Sequence, residues 1–354
     1  MLLSKLGHIW AVTLPASNCI LDCPMMLKFL CAGATALALT GSCFAGDAAK
    51  AQKPQYVIIS FDGALHLEQW ERSRALGQKT GASFTYFLSC VYLLSPETRK
   101  AYEAPGLPRG RSNVGSGYSR EDVEGRLGQI WTARSEGHEV ASHGCGHFDG
   151  KNWSAKDWAQ EFDQFTTIVA DAWKLNGIDG EPRGWQDFAR REIRGFRAPY
   201  LSTNKGLFKT LEKAGFAYDA STVSRGPALP RTRNGVAHFS LPLIPEGPRD
   251  RQIIAMDYNL YVRHSGGKEK PEAAAAFEQR TYDAFMATFE KEYAGRRTPF
   301  QLGFHFTLMN DGAYWNALER FAEDVCVMED VRCVSYRDYL AAVSEAGIPA
   351  QGGT

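Results

Sequence analysis

Short apolar runs alternate with amphipathic segments along most of the chain. The runs at 56–61 and 83–89 are continuously apolar, which is typical of parallel strands buried on both faces. Further strands are predicted at 139–141, 193–197, 216–219, 253–256, 300–304 and 331–334. Helices are predicted between them, at 119–137, from 154, at 204–214, from 271, at 314–325 and from 335. This alternation indicates an α/β protein built on a parallel sheet.

Two of the predicted helices begin with capping signals. Ser119 is followed three residues later by Asp122, and Ser154 by Asp157. The second helix carries aromatic residues on one face, and we expect these in the core rather than in a ligand site: Trp158, Phe162 and Phe165. The segment 92–118 is rich in Pro, Gly and Arg without periodicity, so it is predicted to be a long surface loop at the edge of any substrate groove.

The first 45 residues have the features of a signal peptide. Lys28 precedes an apolar run at 29–39, and the small-residue pattern around Phe44 predicts cleavage after Ala45. A membrane anchor is the alternative, but the run is short for a bilayer span. Lipidation at Cys43 is a second alternative. We expect residues 46–354 to form the exported protein, periplasmic or secreted, with no membrane insertion after processing.

Charge balance and chain length limit the kinds of binding partner and the number of domains. The sequence has 40 basic and 40 acidic residues, so it offers no electrostatic case for binding nucleic acid or an anionic membrane. The part after the signal peptide, about 310 residues, suits one large α/β barrel or two smaller domains, and no linker or repeat divides it. One domain is the simpler prediction.

Four cysteines follow residue 45, an even number that permits two disulfides in an oxidising compartment. Cys326 and Cys333 lie seven residues apart across a predicted helix-to-strand turn, which favours a local pair. Cys90 follows the second strand, and Cys145 lies between two histidines. A Cys90–Cys145 bond would pin that histidine turn if the two strands are neighbours. Buried free thiols are an equally weighted alternative for this second pair.

Several polar residues follow the predicted strands. His143 and His147 lie four apart in a Gly-rich turn, where two imidazoles can converge on one metal ion. Spacing alone favours unrelated histidines. Asp62 follows the first strand, Arg197 begins an Arg-Ala-Pro-Tyr turn, and His305 follows the strand at 300–304. Each of these residues also has a purely structural interpretation when it is considered alone.

In this order, the segments resemble the polysaccharide deacetylase family, the NodB-like carbohydrate esterases of family 4, over roughly residues 55 to 345. These enzymes remove acetyl groups from polymers such as chitin, peptidoglycan or xylan. The resemblance implies an irregular (β/α)7-type barrel with its chemistry at the carboxyl ends of the strands. It also implies a divalent metal, zinc first, held by His143 and His147.

The resemblance assigns roles to the remaining residues. Asp62 is the implied general base, and Arg197 pairs with it and keeps it ionised. The backbone N–H of Tyr200 is expected to help bind the oxyanion. His305 is the implied general acid. Asp257 is the implied carboxylate that orients it, a looser match than the others.

Two motif positions depart from the family pattern. Gly63 occupies the place of a second aspartate that usually binds the metal, and zinc in catalytic sites takes three protein ligands. Either Asp62 also binds the metal, or Asp149 reaches in, or metal binding is weak. Gly144 replaces a Ser or Thr that braces the histidine turn, and a Cys90–Cys145 bond could substitute for that bracing.

The expected function is therefore metal-dependent removal of acetyl groups from an N-acetylglucosamine-containing or other acetylated polysaccharide. The residues around Trp153 and at 197–201 look closer to chitin deacetylases than to peptidoglycan enzymes. A different class remains open: a catalytically impaired carbohydrate-binding protein on the same fold, because Gly63 removes a ligand. Metal content together with acetate release discriminates between the two.

Overall fold

Residues 53–345 and the backbone of the short strand 351–352 are described by the computed structural model. They belong to one compact unit, Lys50–Thr354. The predicted signal peptide and its cleavage point lie outside the described residues. Within residues 53–345, no helix combines the length and the apolarity needed to cross a bilayer.

The strands form one curled, mostly parallel sheet in the order β10-β1-β2-β3-β4-β5-β7-β6-β11, with β8 paired to β7 and β9 to β1. Their bounds are β1 Gln55–Gly63, β2 Thr85–Leu88, β3 Glu139–Ser142, β4 Gly195–Phe196, β5 Tyr218–Ser224, β6 Arg231–Arg233, β7 Val236–Glu246, β8 Arg251–Ile254, β9 Phe300–His305, β10 Val331–Cys333 and β11 Gln351–Gly352. A single parallel bridge between Met256 and Gly303 links the segment after β8 to β9.

Helices pack on both faces of this sheet, most of them on its outside and the one at Tyr336–Glu345 against its inner face. They are α1 Leu67–Thr80, α2 Arg120–Ser135, α3 Ala155–Leu175, the single turn α4 Trp185–Asp187, α5 Lys205–Lys213, α6 Asp257–Ser265, α7 Ala274–Ala294, α8 Ala313–Val325 and α9 Tyr336–Glu345. The predicted caps are in place: Ser119 accepts a hydrogen bond from the Asp122 N–H, and Ser154 and Asp157 form a reciprocal capping box.

The two faces of β1 show how the sheet organises the core. Val57, Ile59 and Phe61 pack outward in the main apolar cluster beneath the helices. Ile58 and its inward neighbours form a smaller cluster with α9 inside the curl. Because side chains alternate along a strand, Asp62 shares this inner face. The carboxylate therefore emerges at the carboxyl end of β1, inside the curl and away from the helices.

The fold class predicted from the sequence is confirmed, but the sheet is more irregular than a seven-stranded parallel barrel. Strands β6 and β8 pair antiparallel with β7, and β7 itself was not predicted. The segment 92–118 is only partly a surface loop, because Tyr102 and Ala104 are fully buried. Both cysteine pairs are disulfide-bonded, Cys90 to Cys145 and Cys326 to Cys333.

Candidate active site

Asp62 and Arg197 form a buried ion pair at the carboxyl edge of the sheet. Arg197 Nη1 donates to Asp62 Oδ1 at 2.7 Å, and both side chains are almost completely excluded from solvent. Burial by itself raises the pKa of Asp62, but the Arg197 guanidinium, helped by His143 and His305, outweighs it and holds that pKa below its ordinary value. The carboxylate therefore stays ionised at neutral pH, as a general base requires.

All three guanidinium nitrogens of Arg197 donate hydrogen bonds to buried partners. Its Nη1 also donates to Ser60 Oγ at 2.9 Å, its Nε to the Ala220 carbonyl at 3.1 Å, and its Nη2 to Tyr336 Oη at 2.9 Å. The guanidinium lies 4.3 Å from the centre of the Phe87 ring. A planar cation fixed by so many partners orients Asp62 as well as neutralising it.

His305 and Asp257 form a second pair beside the first, in which Asp257 is buried and the His305 side chain is 29% exposed. Asp257 Oδ1 lies 2.6 Å from His305 Nδ1, and its Oδ2 accepts the His305 backbone N–H at 2.7 Å. Burial lowers the pKa of His305, but Asp257 and then Asp62 raise it above its ordinary value overall. Because Asp257 engages Nδ1, Nε2 is the ring nitrogen left to exchange a proton with a substrate. Asp62 and His305 are register partners on β1 and β9, so base and acid candidates are immediate neighbours.

The histidine turn follows β3. His143 Nδ1 lies 2.8 Å from the Arg197 carbonyl, and burial lowers the pKa of His143 to about 3. A neutral imidazole facing a carbonyl must donate from Nδ1, which leaves the His143 Nε2 lone pair free. The ring centres of His143 and His147 are 5.0 Å apart, and His147 Nδ1 is buried without a hydrogen-bond partner among the described residues.

The residues present do not complete a three-ligand metal site. Two imidazoles are in place, but the described part of the chain contains no group of three His, Cys, Asp or Glu side chains arranged to hold a metal ion. The expectation that Asp149 could be the third ligand is not supported. Asp149 is exposed, and its Oδ1 accepts the Lys151 N–H at 3.0 Å to cap the next turn.

Glu161 braces the histidine turn, and the sequence analysis missed it. Its Oε1 accepts the Cys145 N–H at 2.6 Å, and its Oε2 accepts the Tyr102 hydroxyl at 2.8 Å. Gly144 has a left-handed φ of 69°, and a Cβ there would lie 3.1 Å from Glu161 Oε1. This carboxyl therefore occupies the place of the hydroxyl that Gly144 lacks. The Glu161 position on the predicted aromatic face of α3 was the available signal, since a carboxylate on a core-facing stripe needs a partner.

Two exposed tyrosines flank the buried groups. Tyr200 has a left-handed φ of 59°, is 61% exposed, and its ring centre lies 4.8 Å from that of His147. Tyr258 is 54% exposed, with its ring centre 6.1 Å from that of His305. The two rings thus lie on the histidine-turn side and the His305 side of the site.

No protein-family model and no curated protein matches the sequence. Several solved structures are similar to this chain. A protein from Mycobacterium smegmatis assigned as a polysaccharide deacetylase is 15% identical with a TM-score of 0.52, covering 86% of this chain and 95% of that one. A second, from Pseudomonas aeruginosa PAO1, is 16% identical with a TM-score of 0.50, covering 84% and 92%.

The chain has the polysaccharide deacetylase fold. The same fold occurs in the PuuE allantoinase, which is 17% identical with a TM-score of 0.50, covering 85% of this chain and 94% of that one. At these identities the likeness concerns the fold alone. Function has to be argued from the site.

Proposed function

We propose that this protein is a hydrolase that removes acetyl groups from an N-acetylglucosamine-containing or other acetylated polysaccharide. The observation that carries the proposal is the neighbouring pair of Asp62 on β1 and His305 on β9, each fixed by its own buried partner. The lowered pKa of Asp62 keeps its carboxylate ionised, and the raised pKa of His305 favours its protonated form. Amide hydrolysis needs such a base and such an acid at the same centre.

The proposed reaction uses these groups in turn. Asp62 accepts a proton from water as the water oxygen bonds to the acetyl carbonyl carbon, and Arg197 keeps the carboxylate oriented during this step. His305 then donates its Nε2 proton to the leaving nitrogen as the carbon–nitrogen bond breaks. Asp257 holds the imidazole through Nδ1 and stabilises its charged form. The products are acetate and a free amino sugar. We assign the Tyr200 backbone N–H to the oxyanion, as the resemblance implies.

A carbohydrate substrate is supported by the surroundings of this pair. The exposed rings of Tyr200 and Tyr258 are available on two sides of the site to pack against sugar rings. Two of the solved structures that share the fold are assigned as polysaccharide deacetylases. An allantoinase shares it too, so the fold does not choose between a polymer and a small amide, and the flanking tyrosines favour the polymer.

We propose that a divalent ion, zinc first, binds this chain only weakly, since His143 and His147 lack a third partner. Gly63→Asp tests this. A Cβ at Gly63 meets nothing closer than 3.7 Å, and the left-handed φ of 89° costs the variant about 1–2 kcal/mol. After dialysis we expect the variant to retain zinc near one equivalent and the wild type to retain much less. Stoichiometric zinc in the wild type would refute weak binding.

The second candidate function is a non-catalytic carbohydrate-binding protein. Gly63 and the incomplete ligand set favour it. It predicts that the protein binds chitin oligosaccharides but releases no acetate from them, with or without added zinc.

Acetate release from chitin oligosaccharides, peptidoglycan and acetylated xylan tests the main proposal. We expect release from at least one of them, and Asp62→Asn should lower the rate on the order of 10²-fold or more. Asp149→Asn, an exposed aspartate two residues after His147, is the matched control and should leave the rate unchanged. No release from any substrate, or full activity of Asp62→Asn, would contradict the proposal.

We also propose export to a periplasmic or extracellular compartment. The two disulfides support this, since such bonds persist in oxidising environments. The amino-terminal sequence of the mature protein tests it, with residue 46 expected first.

A further inference from the structure

A cavity of about 800 Å³ lies outside the curled sheet, away from the Asp62–His305 pair. Its floor is the outward face of β5 and β7, and one wall is Phe208 on α5. The opposite rim is formed by residues of the segment after β5: Arg225, Ala228, Leu229, Arg231, Thr232 and Arg233. The volume falls within the range of small-molecule sites and is far more than a single inorganic anion needs.

The cavity exists because one crossover lacks a helix. Parallel neighbouring strands are usually joined by a helix that covers the outer face of the sheet. Strands β5 and β7 are parallel neighbours, but the chain between them forms only an irregular segment and the short strand β6. The outward residues His238 and Ser240 therefore face the cavity instead of a helix.

The cavity is lined by cations without counter-charges. Arg225, Arg231 and Arg233 line it, and no Asp or Glu does. All three side chains are exposed, and among the described residues none of them forms an ion pair, whereas Arg263 and Arg280 both pair with Glu246. Since the whole sequence is formally neutral, this is a local excess of positive charge.

A hydrogen-bond chain joins the cavity to the Arg197 turn. His238 Nδ1 lies 3.2 Å from Asp219 Oδ2, and Asp219 Oδ1 accepts the Ser221 hydroxyl at 2.5 Å. Ser221 Oγ in turn accepts the Ala198 N–H at 2.8 Å. A ligand in the cavity would thus lie directly behind the turn that carries Arg197 and Tyr200.

We propose that this cavity binds an acidic saccharide unit, with its carboxylate group on Arg225, Arg231 and Arg233. Guanidinium groups pair with such anions in a bidentate manner. Four hydroxyl side chains, Thr222, Ser224, Thr232 and Ser240, and the apolar surfaces of Phe208 and Leu229 suit a sugar ring. The saccharide part of this assignment rests on the proposed function, whereas the anion part does not.

Calorimetric titration with oligogalacturonate, neutral chitin oligosaccharide and inorganic phosphate tests the proposal. The variant is Arg231→Gln with Arg233→Gln, and the matched control is Arg249→Gln with Arg251→Gln, two exposed arginines that do not line the cavity. We expect the variant to weaken oligogalacturonate binding on the order of tenfold or more, and the control to bind like the wild type. Acetate release from neutral chitin oligosaccharide should be the same in both.

Binding is read directly, so the test stands even if the protein releases no acetate. Inorganic phosphate bound as tightly as oligogalacturonate would overturn the saccharide assignment. Oligogalacturonate binding that is absent in the wild type, unchanged in the variant, or equally weakened in the control would overturn the site itself.

Discussion

Removing the Cys90–Cys145 disulfide should damage both stability and the active site, whereas removing Cys326–Cys333 should damage stability alone. The bonds close segments of 55 and 7 residues. In the chain-entropy account, the stabilisation rises with the logarithm of this separation, which gives about 4 kcal/mol for the first bond and about 2 kcal/mol for the second. Replacing each pair by alanine therefore predicts a loss about twice as large for the first.

The first bond also has a local role. Cys145 lies between His143 and His147, and the Cys90 N–H donates to the Gly144 carbonyl at 3.1 Å. Without the bond, the turn loses its covalent brace and is held only by hydrogen bonds, among them the one from the Cys145 N–H to Glu161. We therefore expect acetate release to fall on the order of tenfold in Cys90→Ala/Cys145→Ala, because a small displacement of reacting groups has a large effect on rate.

Urea unfolding curves and initial rates of acetate release, measured on both double variants, provide the check. The Cys326→Ala/Cys333→Ala protein is the control for the general effect of losing a disulfide. Equal stability losses in the two variants would refute the entropic estimate. Full activity in the first variant at temperatures where it remains folded would refute the bracing role.

Three further predictions follow from single contacts. Asp257→Asn removes the charge that raises the pKa of His305, so the fall of kcat/KM at high pH should begin at lower pH and kcat should drop on the order of 10²-fold; an unmoved pH profile would count against the acid role. Burial lowers the pKa of His138 from 6.5 to about 4 in the folded protein. As the pH drops, His138 is therefore protonated in the unfolded chain before it is protonated in the folded one. The free energy of unfolding should fall by about 3 kcal/mol between about pH 6.5 and pH 4. His138→Asn keeps an acceptor for the Phe84 N–H and should remove that part of the pH dependence in urea unfolding at each pH; identical dependence would exclude His138 as its source. Glu161→Ala should lower acetate release about tenfold, and Glu161→Gln, which keeps an acceptor for the Cys145 N–H, should retain most of it; equal losses in both would remove the positioning role.

Most helices and parallel strands were predictable because their signals are local. The Ser154 capping box involves residues three apart, and the outward face of β1 follows from a two-residue period. The order of the polar motifs along the chain was enough to predict the fold class. The least accurate prediction concerned the strands around β7, where His238 and Ser240 alternate with apolar residues but the crossover lacks the expected helix.

The same distinction between local and long-range information applies to the candidate active site. The sequence alone determined that Asp62, Arg197, His143, His147 and His305 lie at or after the ends of strands, and parallel strands bring their carboxyl ends to one edge of a sheet. Only the tertiary structure decided that Asp62 and His305 are register partners, that Asp149 caps a turn, that Glu161 supports the histidine turn, and that three arginines share a cavity. These facts depend on packing between segments far apart in the chain, where register and helix placement are set by the burial of whole faces and by the pairing of buried polar groups. No pattern within a few residues carries that information.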